Sequence, residues 1–476
     1  MRILFLNTAS ALGQRLVRSY SGSYGDVLSE SDTARICFPP LELLRMAGIA
    51  RQAGHEVYVV DHQAAPRAPL PPCVEAVVSV LSLPTLREDC EASAALAQRY
   101  PGCARYIYTS IRQTEVWRVA FAHSRSAMLL LPESISAIAS IFGSGVGLGL
   151  LREGETPAQE VATAIPELSD LEPLPARDLL DHSPYVFSPF SGTAAAVAPI
   201  ATAQGSFGCP HPCGYYCPYP AAEGRRFRAF SAARMFREYE QMASLGVAGV
   251  VYRDPVFTFR ASRTFELCGL MLAAGRPVPW WCETRIDTLT PKLLQAMAGA
   301  GCVGLEIGVE SGDDSVLQGV ARKHLTRQRV REFHQVAKDV GIVPHFLFMM
   351  GIPGESKENI RRTIEFILEL ELPSDSFNLS TITAYPGTPL YADARQQGWI
   401  EEDWSRHTSY TVTMRTDLLS TADLEEAEVF GHELHLLLAQ RPSLAPGEWP
   451  QLDQAYRERV RAWAEPAMPV AGGGAS

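Results

Sequence analysis

The chain has 476 residues, 46% of them hydrophobic, and a net charge of −11, enough apolar material for two or three domains with cores of their own. The acidic balance argues against a nucleic-acid partner and mildly favours a cationic substrate. The opening Arg2–Asn7 turns polar too soon for a leader peptide, no run of about eighteen apolar residues marks a membrane span, and ten cysteines without a paired framework fit a reducing, cytoplasmic setting.

In chain order, Arg2–Asn7 is an apolar run of strand length. Residues 38–50 start with prolines and continue with apolar residues at helical spacing, and 54–61 give a turn and a second buried strand. Further apolar runs lie at 77–81, 106–108 and 127–131. This alternation predicts an α/β fold whose first domain, 1–165, is a Rossmann-like, doubly wound parallel sheet. The shift to Pro, Asp and Ser over 166–195 reads as a linker.

From 197 onward one unit repeats at roughly thirty residues, the length of a strand with its crossover helix. Strands are predicted at 197–202, 249–253, 279–284, 303–309, 345–350 and 377–383. Thr290 followed by Pro291 is a hydroxyl cap with proline at the first helical position. Six such units make a partial (β/α)6 barrel over 196–400, with chemistry expected at the carboxyl ends of its strands. The amphipathic stretch 422–438 predicts a cap helix within a C-terminal helical region, 401–476, that ends in a disordered 472–476 tail.

The first barrel strand leads into a loop holding Cys209, Cys213 and Cys217. Thiolates are soft ligands, and three at this spacing can converge on one centre. A closed zinc site usually takes two Cys-x-x-Cys hooks, which this chain lacks. A cubane iron–sulfur cluster on three cysteines leaves one iron open. A zinc knuckle with His211, a disulfide with a spare thiol, and three ordinary core cysteines remain alternatives. At the later strand ends stand Asp254, suited to an ammonium, and Glu283, Arg285 and Asp287 in alternation, where Arg285 can fork a carboxylate. A salt-bridged rim is the other reading of these. Glu310 and Ser311 can bond hydroxyls. Trp280 and Trp281 read as barrel core, and 225–228 as a solvated helix start.

The cysteine trio, with Tyr216 just before its last member, resembles the signature of the radical S-adenosylmethionine (SAM) superfamily. That family usually spaces its cysteines three then two, and this chain has three then three. Residues 308–312 and 351–355 resemble the family's ribose and adenine segments, and the likeness covers about residues 1–400. It implies a [4Fe-4S] cluster on Cys209, Cys213 and Cys217. SAM would be contacted by Asp254, Glu283, Arg285, Glu310 and Ser311. The first half resembles the cobalamin-binding domain of one subgroup. It lacks the Asp-x-His-x-x-Gly pattern and the paired glycines, so the expectation is that fold without cobalamin.

The spacing and the missing corrinoid landmarks together resemble the radical SAM 1,2-diol dehydratases of aminoglycoside 3′-deoxygenation in antibiotic biosynthesis. Such a lyase implies hydrogen abstraction from carbon 4′ of paromamine and loss of the 3′-hydroxyl as water. Its partners would be a cationic aminosugar, an electron donor and a separate NADPH-dependent reductase, with no nucleic acid and no membrane. Tyr216 is the expected polar group beside the reacting sugar. The alternatives are a cobalamin-dependent methyltransferase and a zinc-stabilised, non-catalytic binding protein.

Overall fold

The first apolar run becomes an interior strand of a sheet because it is buried on both faces. In β1 (Arg2–Asn7), Ile3, Leu4 and Phe5 are all inaccessible, as parallel strands covered by helices on either side require. β1 pairs in parallel with β2 (Glu56–Asp61) and with β3 (Ala76–Val80). β4 (Ala104–Tyr108) and β5 (Met128–Leu130) extend the sheet in parallel, and the two-residue β6 (Leu150–Leu151) closes it antiparallel. The order β2-β1-β3-β4-β5-β6 reverses between β1 and β3. Helices α1 (Leu41–Gln52) and α4 (Ser134–Ser144) share one core with the sheet, α2 (Leu86–Arg99) and α3 (Thr114–Ser124) another. The predicted doubly wound layer is therefore present. Only β6, too short to carry a periodicity, has no counterpart in the sequence reading.

The computed structural model describes residues 1–9, 16–17, 22–27, 36–125, 127–132, 134–144, 149–155, 168–188, 196–275, 277–319, 321–408, 411–445 and 447–465. The 472–476 tail and the ends of the 166–195 segment lie outside them. Among the described residues no helix is long and apolar enough to cross a membrane.

The second sheet runs in chain order, all parallel: β7 (Ile200–Ala203), β8 (Gly249–Tyr252), β9 (Trp280–Thr284), β10 (Cys302–Glu310), β11 (Val343–Met350) and β12 (Phe377–Thr381). Each predicted strand falls on one of these. Among the described residues β7 and β12 pair with no strand beyond them, so the barrel stays open. Its crossover helices start where the sequence marks them: Thr290 accepts from the Leu293 amide ahead of α7 (Pro291–Gly299), and Ser356 with Asn359 forms a capping box on α9 (Lys357–Glu369). The other crossovers are α5 (Ala232–Ser244), α6 (Ala261–Ala274) and α8 (Arg327–Asp339), with α10 (Pro389–Gln396) after β12.

An exposed edge strand invites unwanted pairing. Here α11 (Thr421–Gln440) lies along β12, with His435 stacked on Phe377 at 4.1 Å and Thr381 donating to Glu428 at 2.6 Å. α12 (Glu448–Ala464) packs on α11 through the Tyr456 hydroxyl, which donates to the Phe430 carbonyl at 2.7 Å. The helix read over 422–438 thus lies along the β12 edge of the sheet.

The described part of the segment read as a linker is docked rather than free. Val186–Phe187 pairs antiparallel with Ile36–Cys37, and the Tyr185 hydroxyl donates to Asp61 at 3.0 Å. Arg177 is fully buried, 2.5 Å from Glu238, which also holds Arg234 at 3.1 Å. One carboxylate here answers two buried guanidinium groups. Removing one partner of a buried pair costs about 3–5 kcal/mol, because the other charge stays buried. Glu238→Ala is expected to lower stability by roughly that amount, read as a fall in the urea midpoint, while Glu240→Ala, at an exposed position two residues on along the same helix, leaves the midpoint in place.

Candidate active site

β7 ends in the cysteine loop, and the chain there is held by buried carboxylates. Asp254 accepts from the Gly205 amide at 2.9 Å and the Ser206 hydroxyl at 2.5 Å, and Glu223 accepts from the Gly208 amide at 2.9 Å. Gly208 has φ +78°, and a Cβ there would meet the Arg226 carbonyl oxygen at 2.2 Å, so only glycine fits. A helical turn, Pro212–Tyr215, follows, and the Tyr216 and Cys217 amides both donate to the Cys213 carbonyl.

This local winding puts all three sulfurs on one cavity. Cys209 and Cys213 are buried and Cys217 half-buried, and all ten cysteines are free thiols, which removes the disulfide alternative. Burial pushes the Cys209 thiol up to about 11, and burial together with Cys213 and Cys209 pushes Cys217 well up. Three thiolates crowded this way need positive charge among them. Among the described residues no three His, Cys, Asp or Glu side chains are grouped to hold one metal ion. A polynuclear cluster, which holds its thiolates wider apart, fits the trio better than a zinc knuckle. His211 lies against the Phe259 ring, and burial pushes its imidazole down to about 4.

The cavity measures about 290 Å³ and penetrates the open barrel. The parallel register builds its wall. Tyr252 pairs with Cys282, Glu283 with Glu306, and Glu306 with His345, so Arg253, Glu283, Glu306 and His345 stand in one row across four strands, all lining the cavity. Arg253 lies 2.9 Å from Glu283 and 3.7 Å from Glu306, and the Tyr219 hydroxyl donates to Glu283 at 2.9 Å. Two carboxyls thus face one guanidinium. Burial first, then the neighbouring Glu283, pushes Glu306 up to about 8, so it stays protonated at neutral pH.

Nearer the strand ends, Glu310 pairs with Lys323 at 2.6 Å. Gly308 makes room for that pair, since a Cβ there would sit 2.6 Å from the Glu310 carboxylate and 2.9 Å from the Lys323 ammonium. Glu310 itself has φ +77° at a break in the β10–β11 register, a strained conformation of the sort that gathers at functional sites.

Of the residues read from the sequence, the structure brings together Cys209, Cys213, Cys217, Tyr216, Glu283, Arg285 and Glu310, all lining this cavity. Two others need correction. Asp254 faces away, because its carboxylate is taken up by Gly205, Ser206 and Arg263; it braces the loop. Ser311 is fully buried and bonds Thr363 at 3.1 Å instead of facing the cavity. Arg285 lines the cavity, yet its fork is occupied: Nε and Nη2 bond Asp287 at 2.9 and 2.7 Å. The Tyr216 hydroxyl donates to the Ala321 carbonyl at 3.4 Å, and burial, then Glu310, pushes its phenol well up. Sequence reasoning missed Arg253, Glu306, Lys323 and His345. The period-2 alternation of Glu306, Gly308 and Glu310 in β10 was the available signal for one of them.

Comparison with known proteins places these features. Residues 204–367 match the radical SAM superfamily. An uncharacterized methyltransferase of Pyrococcus horikoshii is 25% identical over 272 residues, 57% of this chain and 56% of that protein. The anaerobic magnesium-protoporphyrin IX monomethyl ester cyclase of Rubrivivax gelatinosus is 23% identical over 269 residues, 56% of this chain and 46% of the cyclase. The chain thus spans about half the length of these curated relatives. Among solved structures, the radical SAM methyltransferase TsrM from Kitasatospora setae, with cobalamin and a [4Fe-4S] cluster bound, superposes with a TM-score of 0.64 at 14% identity, covering 97% of this chain and 99% of TsrM. The cobalamin-dependent radical enzyme OxsB, with aqua-cobalamin and SAM bound, gives 0.65 at 13% identity, covering 97% and 71%.

These neighbours overturn the expectation of a fold kept without cobalamin. The architecture that this chain shares over nearly its full length is one that holds cobalamin in both of them, and the loop pattern missing from the sequence is no ground for setting the corrinoid aside. Residues 204–367, which carry the three converging thiols and most of the barrel, are similar to the radical SAM superfamily.

Proposed function

We propose that this radical SAM enzyme is a cobalamin-dependent methyltransferase. The observation that carries the reading is the convergence of Cys209, Cys213 and Cys217 on the barrel cavity in a chain whose fold superposes over 97% of its length on TsrM and on OxsB. The methyltransferase among the curated relatives supports it. The first domain has a place suited to a second cofactor. At the crevice where the strand order reverses, the usual ligand position in open α/β sheets, Asn7 Oδ1 and Ser79 Oγ are buried without a hydrogen-bond partner among the described residues. Asn7, Ser79 and the neighbouring Ser82 would face a corrinoid held there.

The three thiolates would hold the [4Fe-4S] cluster. Together the bound groups supply one-electron cleavage of SAM and a methyl carrier. The rest belongs to the chain. Glu310, set by the bulge, would accept hydrogen bonds from the SAM ribose, and Lys323 and Glu283 would face its charged end. Phe38 and Phe187 wall the cavity and keep water from the reacting carbon.

A second reading, 1,2-diol dehydration of a cationic aminosugar, is favoured by one observation. The cavity carries a carboxyl that stays protonated at neutral pH, Glu306, and the phenol of Tyr216, itself pushed well up, lines the same cavity. A departing hydroxide needs such an acid, whereas methyl transfer does not. On that reading a separate NADPH-dependent reductase would take the ketone product, and on either reading an electron donor serves the cluster.

The discriminating experiment loads the anaerobic protein with iron, sulfide and hydroxocobalamin, then adds SAM and dithionite with and without paromamine. Retained corrinoid absorbance after gel filtration and release of S-adenosylhomocysteine are expected. Absence of corrinoid, with 5′-deoxyadenosine and a deoxygenated sugar as products, would contradict methyl transfer and favour dehydration. A second expectation concerns Glu306. Its pKa is raised on folding, so the stability it contributes is complete below its unfolded value of 4.5 and is lost as pH rises through about 8. Denaturant midpoints measured across that window should decline for the native chain and decline less for Glu306→Gln; equal slopes would refute the protonated state.

A further inference from the structure

We propose that Arg285 sets the reduction potential of the cluster on Cys209, Cys213 and Cys217, a positioning and tuning residue rather than the SAM-carboxylate fork its place in the sequence suggests. The proposal rests on the [4Fe-4S] reading above. Arg285 is buried, and its Nη1 donates to the Cys213 sulfur at 3.6 Å. The donors on Nε and Nη2 are committed elsewhere. Nε and Nη2 take the two oxygens of Asp287 at 2.9 and 2.7 Å, and Nη2 also reaches the Lys323 carbonyl at 3.3 Å. A planar guanidinium clamped along one edge by a carboxylate cannot swing. Its free corner is therefore held against the sulfur.

The sequence supplies this clamp locally. Arg285 follows the end of β9, and Asp287 sits in the helical turn Ile286–Thr288 that begins with the next residue. Lys323, another cation lining this cavity, is answered by Glu310 at 2.6 Å. Among the described contacts the His211 and Tyr219 amides reach Cys209 and Cys217, and Arg285 is the side chain that brings a charged hydrogen bond to a cluster-bearing sulfur.

Hydrogen bonds and positive charge at the ligating sulfurs stabilise the reduced cluster, which carries one more negative charge, over the oxidised one. Burial strengthens the effect because little water is present to screen it. Asp287 tempers the charge while leaving the N–H in place, so most of the tuning falls to the hydrogen bond. An electron donor would then meet a cluster that is easier to reduce than the bare trio would make it.

The test is an EPR-monitored potentiometric titration of reconstituted native protein, Arg285→Lys and Arg285→Gln, with iron and sulfide measured on each. Arg285→Gln is expected to keep its iron and sulfide and to show, at a fixed potential, roughly a tenfold lower ratio of reduced to oxidised cluster, a midpoint about 59 mV more negative. Arg285→Lys, which keeps charge without the fork, is expected to fall between. Unchanged midpoints in both variants would overturn the proposal, and weakened SAM binding alongside them would return Arg285 to the cofactor. Should Arg285→Gln fail to load, the Lys variant decides, and loss of cluster from both would make Arg285 a loading residue and also overturn it. Native protein that takes up no iron and sulfide would defeat the cluster reading itself.

Discussion

Asp254 is the hinge of this structure. A carboxylate with no exposure to solvent grips the Gly205 amide and the Ser206 hydroxyl and is balanced by Arg263 at 3.5 Å. Burying a charge is tolerable only with such partners. The consequence is mechanical: the start of the cysteine loop is tied to the end of the neighbouring strand. From that tie follow the glycine turn at 208, the helical turn at 212–215 and the aim of three sulfurs into the barrel. The carboxylate read as a cofactor contact serves instead to place the residues that hold one.

The parallel register performs the same service for the wall. Because Glu283, Glu306 and His345 are register partners on consecutive strands, their side chains form a continuous row without any loop having to position them. Two carboxyls against one guanidinium, in a buried setting, keep the proton on Glu306. The cavity therefore combines a soft-ligand site at the strand ends with an acid and its partners deeper in. Arg285 joins the two levels, bonded to Asp287 on one side and to a cysteine sulfur on the other.

Much of this was legible in the letters. Continuous apolar runs such as Arg2–Asn7 announce buried parallel strands, and Thr290 with Pro291 announces a helix start, because these patterns follow from burial and backbone geometry. The three cysteines stood out for the rarity of their spacing. Orientation was not legible. Asp254 and Ser311 lie in loops just past strand ends, where no period of two predicts which way a side chain turns. Arg285 lines the cavity, but its commitment to Asp287 depends on a turn that composition does not reveal. The row partner His345 and the distant Lys323 enter only through tertiary contacts. The corrinoid expectation failed for another reason: a missing loop pattern was weighed above an architecture that whole-chain comparison reveals.

The central claim is that Cys209, Cys213 and Cys217 together carry an iron–sulfur cubane with one open corner. Mössbauer spectroscopy of the anaerobically reconstituted chain and of its three single Cys→Ala variants, with and without SAM, measures this most directly. The account predicts a [4Fe-4S] signal in the native chain in which one iron changes its environment when SAM is added, and loss of that signal in every variant. A native spectrum without a cubane, or a variant that keeps both the cubane and its response to SAM, would contradict it.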